Sequence, residues 1–384
     1  MALARSGDGL HPPGGGATDV GAGAQRAHSP PRAADRPAPP VAEQPQAPSG
    51  PWGRRAAEAH ATLLTEFANT GKEGWPGLFR LRAPARVTDR LRWTYWWQAH
   101  ALDALVDAHE RVPSDATLRR IRALVRGVQA ANGGRIVNDY YDDMAWMALA
   151  LLRADAHGAE TIGLVRSLWR ELRGGWSEAN GGGIAWRRSQ PRYKNVPANG
   201  PAAILAARLY ARDGRPEDLR WARRIVAWMH DTLVDGETGE VWDGIDRRGD
   251  GAIDRRWQFT YNYGVVLGAD LALHDATGEA GLVERARRTA HAGLDRLAVD
   301  GVPPDEGPGD GALFKGVFGR YLAELDDDRA REALRRSGEA AWAVRDGAGR
   351  FGPSWTRAPD GPVELSSHLS GVMLAERLAA AERG

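Results

Sequence analysis

Cysteine is absent from this chain of 384 residues, and so is any long apolar run. Without thiols the chain forms no disulfide bonds and no thiolate metal sites. No stretch approaches the roughly 18 apolar residues that span a bilayer, and the N-terminus lacks the apolar segment of a secretory signal peptide. We therefore expect a cytoplasmic protein without a membrane partner, or a secreted one if the start codon is misassigned.

An excess of charge of either sign is also missing. The 51 lysines and arginines balance 50 aspartates and glutamates, so the formal charge is +1. Nucleic-acid-binding domains carry a clearly basic face, which this balance does not indicate. We therefore expect no nucleic-acid partner, and a neutral substrate fits better than an anionic one.

Aromatic residues are missing from residues 1–50, where Gly and Pro together make up about a third of the positions. Such a segment cannot bury enough apolar surface to offset the entropy of ordering it. We expect a disordered Gly/Pro/Ala-rich tail over residues 1–50 and one folded domain over residues 51–384.

Strand signals are nearly absent, whereas apolar residues recur at helical spacing along the folded part. With Gly, Pro and Asp at the breaks, this spacing predicts about twelve helices. Twelve helices in one domain predict six helical hairpins that close on themselves, an all-α (α/α)6 toroid. The predicted helices cover residues 54–69, 92–110, 115–130, 143–154, 160–172, 199–212, 216–233, 260–276, 280–298, 312–325, 329–344 and 366–382.

Aromatic and polar clusters stand at the starts of the even-numbered predicted helices, for example at residues 93–98, 139–143 and 260–263. The odd-numbered helices instead carry amphipathic, arginine-rich patterns such as residues 118–126. This alternation predicts inner helices that point their N-terminal ends at a common cleft, and outer helices that face water.

Two adjacent aspartates, Asp142 and Asp143, open the fourth predicted helix. Aspartate commonly caps helix N-termini, but Asn138 and Asp139 already supply cap candidates. Adjacent like charges also cost stability unless one carboxyl keeps a proton or a ligand separates them. Paired carboxylates beside aromatic rings suit a glycosidase, which needs an acid, a base or nucleophile, and flat faces for sugar rings. Spacing alone leaves the catalytic and the capping roles open.

Tryptophan is the unusual abundance, with 15 residues against 6 Phe and 8 Tyr. Large rings in loops and at helix starts are better explained by a binding cleft than by a core. The tryptophans so placed are Trp93, Trp96, Trp97, Trp176, Trp186, Trp242, Trp257 and Trp355.

Other polar residues support weaker hypotheses. Asn195, Asn199 and Asn262 could bind sugar hydroxyls or cap helices, and His100 is more often a core histidine. The acidic series that begins at Asp243 misses the spacing of a calcium loop and is interpreted as a solvated loop.

Seven segments in order resemble glycoside hydrolase family 76, the endo-α-1,6-mannanases and their relatives. The resemblance runs from about residue 93 to residue 378. The sequence departs from the family pattern at Tyr263, where members often carry glutamine, and at Trp146-Met147, where they often carry two tryptophans; these changes bear on subsite contacts. The segments are residues 95–100, 138–143, 182–186, 193–195, 259–262 with Gly264, 314–316 and 351–355.

The resemblance implies an (α/α)6 barrel that cleaves α-1,6-mannosidic bonds with retention of configuration. The family's catalytic pair corresponds to Asp142 as nucleophile and Asp143 as general acid/base. We expect no metal or other cofactor, an α-mannoside as partner, and a monomer. The expected substrate-binding residues are Trp96, Trp97, Asn138, Asp139, Tyr140, Tyr141, Tyr193, Lys194, Asn195, Asn199, Tyr261, Asn262 and Lys315.

Two other functions remain open from the sequence. A sugar epimerase on the same fold would need paired bases at the cleft floor, and only His100 and His368 are placed for that. A non-catalytic or transglycosylating glycan-binding protein would keep the aromatic residues; without turnover it would tolerate loss of a carboxylate, and the intact pair argues against that form.

Overall fold

The computed structural model describes residues 50–69, 71 and 74–383. These residues belong to one compact unit. The predicted tail lies outside the described residues except for Gly50, at which the first helix begins. Among the described residues, no helix is both long and apolar enough to cross a membrane.

Twelve α-helices make up the described part of the chain, as the sequence predicts. The first continues into a π-helical turn, Leu63–Phe67. Most boundaries fall within three residues of the predicted ones, because local apolar spacing and breakers decide where a helix starts and ends. The helices are α1 Gly50–Thr62, α2 Tyr95–Arg111, α3 Asp115–Ala131, α4 Tyr141–Ala156, α5 Ile162–Gly174, α6 Val196–Asp213, α7 Pro216–Thr232, α8 Thr260–Thr277, α9 Gly281–Leu297, α10 Gly311–Leu322, α11 Asp328–Ala343 and α12 Leu365–Ala381.

The even-numbered helices form a closed inner ring. Each packs against the next in the order α2, α4, α6, α8, α10 and α12, and α12 returns to α2. The odd-numbered helices pack outside this ring, for example α3 on α2, α7 on α6 and α9 on α8. The predicted all-α (α/α)6 toroid is therefore confirmed, including the split between inner and outer helices.

Glycines let the inner helices approach closely. A Cβ atom on Gly316 of α10 would lie 2.6 Å from the Cα of Ser370 on α12, and one on Gly264 of α8 would lie 2.8 Å from the Cα of Phe318. Because these neighbours are backbone atoms, no side-chain rotation could relieve the clash. Small residues at the helix crossings thus set the diameter of the ring.

Short strands, which the sequence analysis did not predict, lie among the loops. The antiparallel sheet β2 Ala185–Arg187, β3 Gln190–Asn195 and β4 Gly244–Ile245 pairs Lys194 with Ile245. A second pair joins β1 Arg82–Ala83 to β5 Val363–Glu364. Strands of two to six residues carry too few alternating positions to be recognised from sequence, yet β3 leads directly into the inner helix α6.

Candidate active site

A cleft of about 590 Å³ opens where the N-terminal ends of inner helices meet. Residues from α2, α4, α8 and α10 contribute to it, together with the strands and loops that precede α6 and α8. The predicted common cleft is therefore present. Its walls are formed by Trp93, Thr94, Tyr95, Trp96, Tyr140, Asp142, Asp143, Trp146, Trp186, Tyr193, Asn195, Asp243, Arg247, Trp257, Phe259, Tyr261, Asp310 and Phe314.

Asp142 and Asp143 stand in the first turn of α4, and both line the cleft. Asp142 accepts a hydrogen bond from the backbone N–H of Asp143 (2.9 Å) and another from the indole N–H of Trp186 (2.8 Å). Asp143 accepts one from the side-chain amide of Asn138 (2.7 Å). The N-cap position of α4 is held by Tyr140, not by either aspartate. Neither aspartate is therefore the N-cap residue, although both lie in the first turn.

Burial at the cleft floor raises the pKa of both aspartates. For Asp142 the pKa rises to about 7, although the hydrogen bonds from Asp143 and Trp186 act in the opposite direction. For Asp143 burial raises the pKa well above its usual value, and the neighbouring charge of Asp142 adds to the effect. Two carboxyls with different hydrogen-bond partners can therefore hold different protonation states at neutral pH.

Asn138 holds the segment before the pair in place. Its side-chain oxygen accepts a hydrogen bond from the backbone N–H of Tyr140 (2.5 Å), while its NH2 group reaches Asp143. Asn138 thus supports the pair from behind the cleft wall. Asp139 points away: its side chain is 84% exposed and lies 3.8 Å from Arg188.

Asp310 is a third carboxylate in the cleft that the sequence analysis missed. Its Oδ1 accepts hydrogen bonds from the indole N–H groups of both Trp96 and Trp97, each at 2.8 Å. Its charge also raises the pKa of Asp142 and of Asp143. Asp310 immediately precedes α10, so the cluster at the start of the tenth helix was the available signal.

Asp243 overturns the interpretation of its segment as a solvated loop. The residue is buried, and its carboxylate accepts hydrogen bonds from Tyr193 Oη and Arg247 Nη2, both at 2.6 Å, and from Asn262 Nδ2 at 3.2 Å. Burial raises the pKa of Asp243, while Tyr193, Asn262 and Arg247 oppose the rise. Among the described residues, no group of three or more His, Asp or Glu side chains is placed to hold a metal ion.

Aromatic rings form much of the cleft wall. Trp186 packs edge-on against Tyr140 at 5.4 Å and against Tyr193 at 5.7 Å, with the Arg187 guanidinium 4.7 Å from the centre of its ring. Trp257 is 46% exposed. These rings offer flat faces of the kind that sugar rings stack on.

Trp96 and Trp97 differ from the expected open platforms. Trp96 lines the cleft but is largely buried, and Trp97 lies behind the wall with its N–H on Asp310. Trp97 does not line the cleft, and neither do three other tryptophans assigned to it from sequence, because their rings pack in the surrounding structure. These are Trp176, Trp242 and Trp355.

The predicted binding residues divide into two groups by position. The structure brings Trp96, Tyr140, Tyr193, Asn195 and Tyr261 into the cleft with Asp142 and Asp143. Asn195 also caps α6 by accepting a hydrogen bond from the backbone N–H of Ala198. The cleft walls do not include the other eight, Trp97, Asn138, Asp139, Tyr141, Lys194, Asn199, Asn262 and Lys315.

Several of those outside the walls are committed to internal hydrogen bonds. Lys194 donates to Ser177 Oγ and to the carbonyl of Gly183, both at 2.7 Å. Asn199 accepts a hydrogen bond from the backbone N–H of Ile184 and donates to the carbonyls of Ile184 and Asn195, so it ties the residue before β2 to α6.

The remaining members have similar internal roles. Lys315 is buried and donates to the carbonyl of Pro304 at 3.2 Å. Tyr141 packs against Gly175 and under the guanidinium of Arg188. Asn262 holds Asp243 from the first turn of α8.

The two departures from the family pattern lie in different places. Tyr263 is fully buried and faces Gly293 of α9, where a Cβ atom would lie 2.9 Å from the tyrosine ring. It therefore packs α8 against α9 and does not reach the cleft. Trp146 does line the cleft, and Met147 is core.

The two histidines considered for an epimerase do not line the cleft. His100 is buried beneath it, with its ring 5.4 Å from Trp96 and 4.9 Å from Trp146. His368 is buried against Phe67 and bonds the carbonyl of Ala59. Burial lowers the pKa of each to about 3. Neither is placed to exchange protons with a sugar in the cleft.

Comparison with known proteins agrees with this architecture. The solved structure of the GH76A α-1,6-mannanase from Salegentibacter sp. HEL1_6 is 38% identical, covers 86% of this chain and 99% of its own, and has a TM-score of 0.80. A protein from Listeria innocua is 35% identical over 86% of this chain and 98% of its own, with a TM-score of 0.81.

Curated relatives are more distant. The mannan endo-1,6-alpha-mannosidase DCW1 of Candida glabrata is 28% identical over 277 residues, which are 62% of this chain. The chain spans about three fifths of the length of that relative. The profile of glycosyl hydrolase family 76 matches residues 53–383, nearly the whole described region. The chain therefore belongs to glycosyl hydrolase family 76.

Proposed function

We propose that this protein hydrolyses α-1,6-linked mannosides, either mannan or manno-oligosaccharides. The observation that carries the proposal is the adjacent aspartate pair at the floor of an aromatic-walled cleft. A structural neighbour at 37% identity is an inactive variant of an α-1,6-mannanase in which two consecutive aspartates are replaced, in complex with α-1,6-mannotetrose. The curated relatives are mannan endo-1,6-alpha-mannosidases.

Asp142 is the nucleophile in this proposal. Its two hydrogen bonds, from the Asp143 backbone and the Trp186 indole, favour the ionised carboxylate. The position in the first turn of α4 adds the positive end of the helix dipole. The carboxylate attacks the anomeric carbon, and the bond to the leaving oxygen breaks as the covalent glycosyl-enzyme forms.

Asp143 is the general acid and then the general base. Burial and the Asp142 charge both raise its pKa, which favours the protonated carboxyl that a general acid needs. That proton passes to the leaving oxygen, and the resulting carboxylate then takes a proton from the water that releases the sugar. Two displacements at the anomeric carbon leave its configuration unchanged.

The alternatives are less well supported by the cleft. An epimerase would need accessible bases, and the two candidate histidines are buried outside the walls. A glycan-binding protein without turnover would have no need of two carboxyls with raised pKa values. Transfer to a second sugar instead of water would use the same pair, and product analysis separates it from hydrolysis.

The test replaces each aspartate singly by asparagine, with Asp139→Asn as the matched control in the same segment. Asp142→Asn should abolish release of reducing ends from α-1,6-mannan, because no nucleophile remains. Asp143→Asn should lose most activity on mannan but less on aryl mannosides with good leaving groups, which need no protonation. Asp139→Asn should keep parental activity, since its side chain faces solvent.

Product sizing and the anomeric form of early products complete the experiment. Retention predicts α-anomers before mutarotation, and hydrolysis predicts products no longer than the substrate. Parental activity in both Asp142→Asn and Asp143→Asn, on a substrate that the parent cleaves, would leave the pair without a catalytic role.

A further inference from the structure

An arginine-lined groove lies beside the cleft, in the connection between α1 and α2. Residues 80–93 contain five arginines and one aspartate, a formal charge of +4 in a chain whose net charge is +1. All five arginines line the groove, together with Trp75 and Trp93. The near-neutral balance of the whole chain makes this local excess distinctive.

The groove and the cleft adjoin each other, because Trp93 lines both of them. A second connection runs through Glu364 of β5, which lies 3.9 Å from Arg82 in the groove and accepts a hydrogen bond from the backbone N–H of Gly309 (2.6 Å). Gly309 precedes Asp310 of the cleft. A chain-like ligand leaving the cleft past Trp93 would therefore meet the arginines.

Not all of this positive charge is neutralised. Arg82 pairs with Asp89 at 2.9 Å, and Arg92 lies 3.8 Å from the same carboxylate with 68% of its side chain exposed. Arg86 and Arg90 are exposed and form no ion pair within the described parts of the chain. Asp89 and Glu364 lie beside Arg82 and Arg92 but not beside Arg86 or Arg90, so these two side chains present positive charge to solvent.

We propose that this groove binds an anionic group, a phosphate or a carboxylate, carried by the glycan whose neutral mannose units occupy the cleft. The inference rests on the proposed function and refines its substrate to an anionic mannoside chain. Guanidinium groups suit it because their fork of N–H donors matches the oxygens of phosphate and carboxylate. Ring faces at Trp93 and Trp75 would border the adjoining sugar.

A lipid surface is the competing partner for the same residues. Val87 and Leu91 are 75% and 70% exposed between the arginines, and exposed aliphatic side chains among cations also suit anionic membranes. The shared wall at Trp93 and the link through Glu364 favour the glycan, because a membrane site would not need to adjoin the cleft.

The experiment compares three α-1,6-manno-oligosaccharides of equal length: neutral, phosphorylated and carboxymethylated. We expect kcat/KM for at least one anionic substrate to exceed that for the neutral one by about fivefold at low salt, and to fall towards it at about 0.5 M NaCl because salt screens exposed charges. The neutral substrate should be nearly insensitive to salt. Comparison of the two anionic arms distinguishes phosphate from carboxylate.

The double variant Arg86→Gln/Arg90→Gln should remove the preference and leave kcat/KM for the neutral substrate unchanged. Arg170→Gln/Arg220→Gln is the matched control, since it removes two exposed arginines from the outer helices α5 and α7. Equal kcat/KM for all three substrates would overturn the inference, and so would a preference for an anionic substrate that survives the Arg86/Arg90 substitutions. Activity on neutral mannan would still support the proposed function in either case.

Direct binding separates the remaining outcomes. Titration calorimetry of the Asp142→Asn variant with each oligosaccharide reports the preference even if none is hydrolysed. Co-sedimentation with phosphatidylglycerol vesicles tests the lipid surface. If it depends on Arg86 and Arg90 and the protein shows no preference among the oligosaccharides, the groove binds lipid and the inference of an anionic glycan is overturned.

Discussion

Trp186 contributes a single indole N–H to the aspartate pair, and the effect of that group can be isolated. The hydrogen bond to Asp142 lowers the pKa of this carboxyl against the rise caused by burial. Phenylalanine keeps a flat ring at this position but removes the donor. The residue therefore connects the aromatic wall to the ionisation of the proposed nucleophile.

Trp186→Phe should move the acid limb of the kcat/KM profile to higher pH. Loss of the hydrogen bond raises the pKa of Asp142, so the carboxylate forms only at a higher pH and activity at pH 5–6 falls more than activity at pH 8. We expect a shift of about one unit, comparable to the worth of one hydrogen bond to a charged group. Tyr140→Phe is the control: it changes a neighbouring ring but removes no hydrogen bond to Asp142 or Asp143, so the acid limb of its kcat/KM profile should not move. An unchanged acid limb in Trp186→Phe would contradict the assignment of Asp142 as the nucleophile.

At the scale of helices, the close crossings of the inner ring depend on glycine. Gly316 on α10 faces the backbone of Ser370 on α12, and a methyl group there has no space. Gly163 on the outer helix α5 has nothing within 4 Å of a built Cβ atom. The two positions therefore test ring packing against simple helix propensity.

Gly316→Ala should destabilise the protein by about 1–3 kcal/mol, since overpacking forces α10 and α12 apart. Gly163→Ala should be neutral or stabilising by up to about 1 kcal/mol, because alanine costs less backbone entropy in a helix. Thermal unfolding of both variants checks this. A melting temperature for Gly316→Ala equal to that of the parent would mean that the ring adjusts freely.

For the whole molecule, closure of the ring joins helices that are distant in sequence. Arg111 at the end of α2 pairs with Glu376 on α12 at 3.0 Å, and both side chains are buried. Burial raises the pKa of Glu376, while Arg111 opposes the rise. The first and last inner helices are thus tied by a charge pair that depends on both partners.

Arg111→Met should cost about 3–5 kcal/mol, because it leaves the Glu376 carboxylate buried without its partner. Removing Arg111 raises the folded-state pKa of Glu376 further above its unfolded value, so the loss should grow as pH rises from about 4.5. Chemical denaturation at pH 5 and pH 8 measures this trend. The double variant Arg111→Met/Glu376→Leu should recover much of the stability; no recovery would show that Arg111 acts through packing alone.

The helices, the toroid and the catalytic candidates could all be predicted from the order of the amino acids. Helix positions follow from the local spacing of apolar residues. For α9 this spacing predicts residues 280–298, and the helix spans Gly281–Leu297. The alternation of aromatic helix starts distinguishes inner from outer helices. Inner helices are buried on all sides and outer helices on one face only, so the two classes carry different patterns of apolar residues. Asp142 and Asp143 could be found because they are neighbours in the chain.

Which side chains reach the cleft depends on how the helices and strands pack together, and could not be predicted from the sequence. Trp96 and Trp97 point about 100° apart on α2, and Tyr193 and Lys194 point to opposite faces of β3. Which member of each pair lines the cleft depends on which face of α2 or β3 is turned towards the cleft, and the spacing of residues in the sequence does not specify that face. Asp243 and Asp310 join Asp142 from 101 and 168 residues away, because closure of the ring brings the ends of separate hairpins to one place.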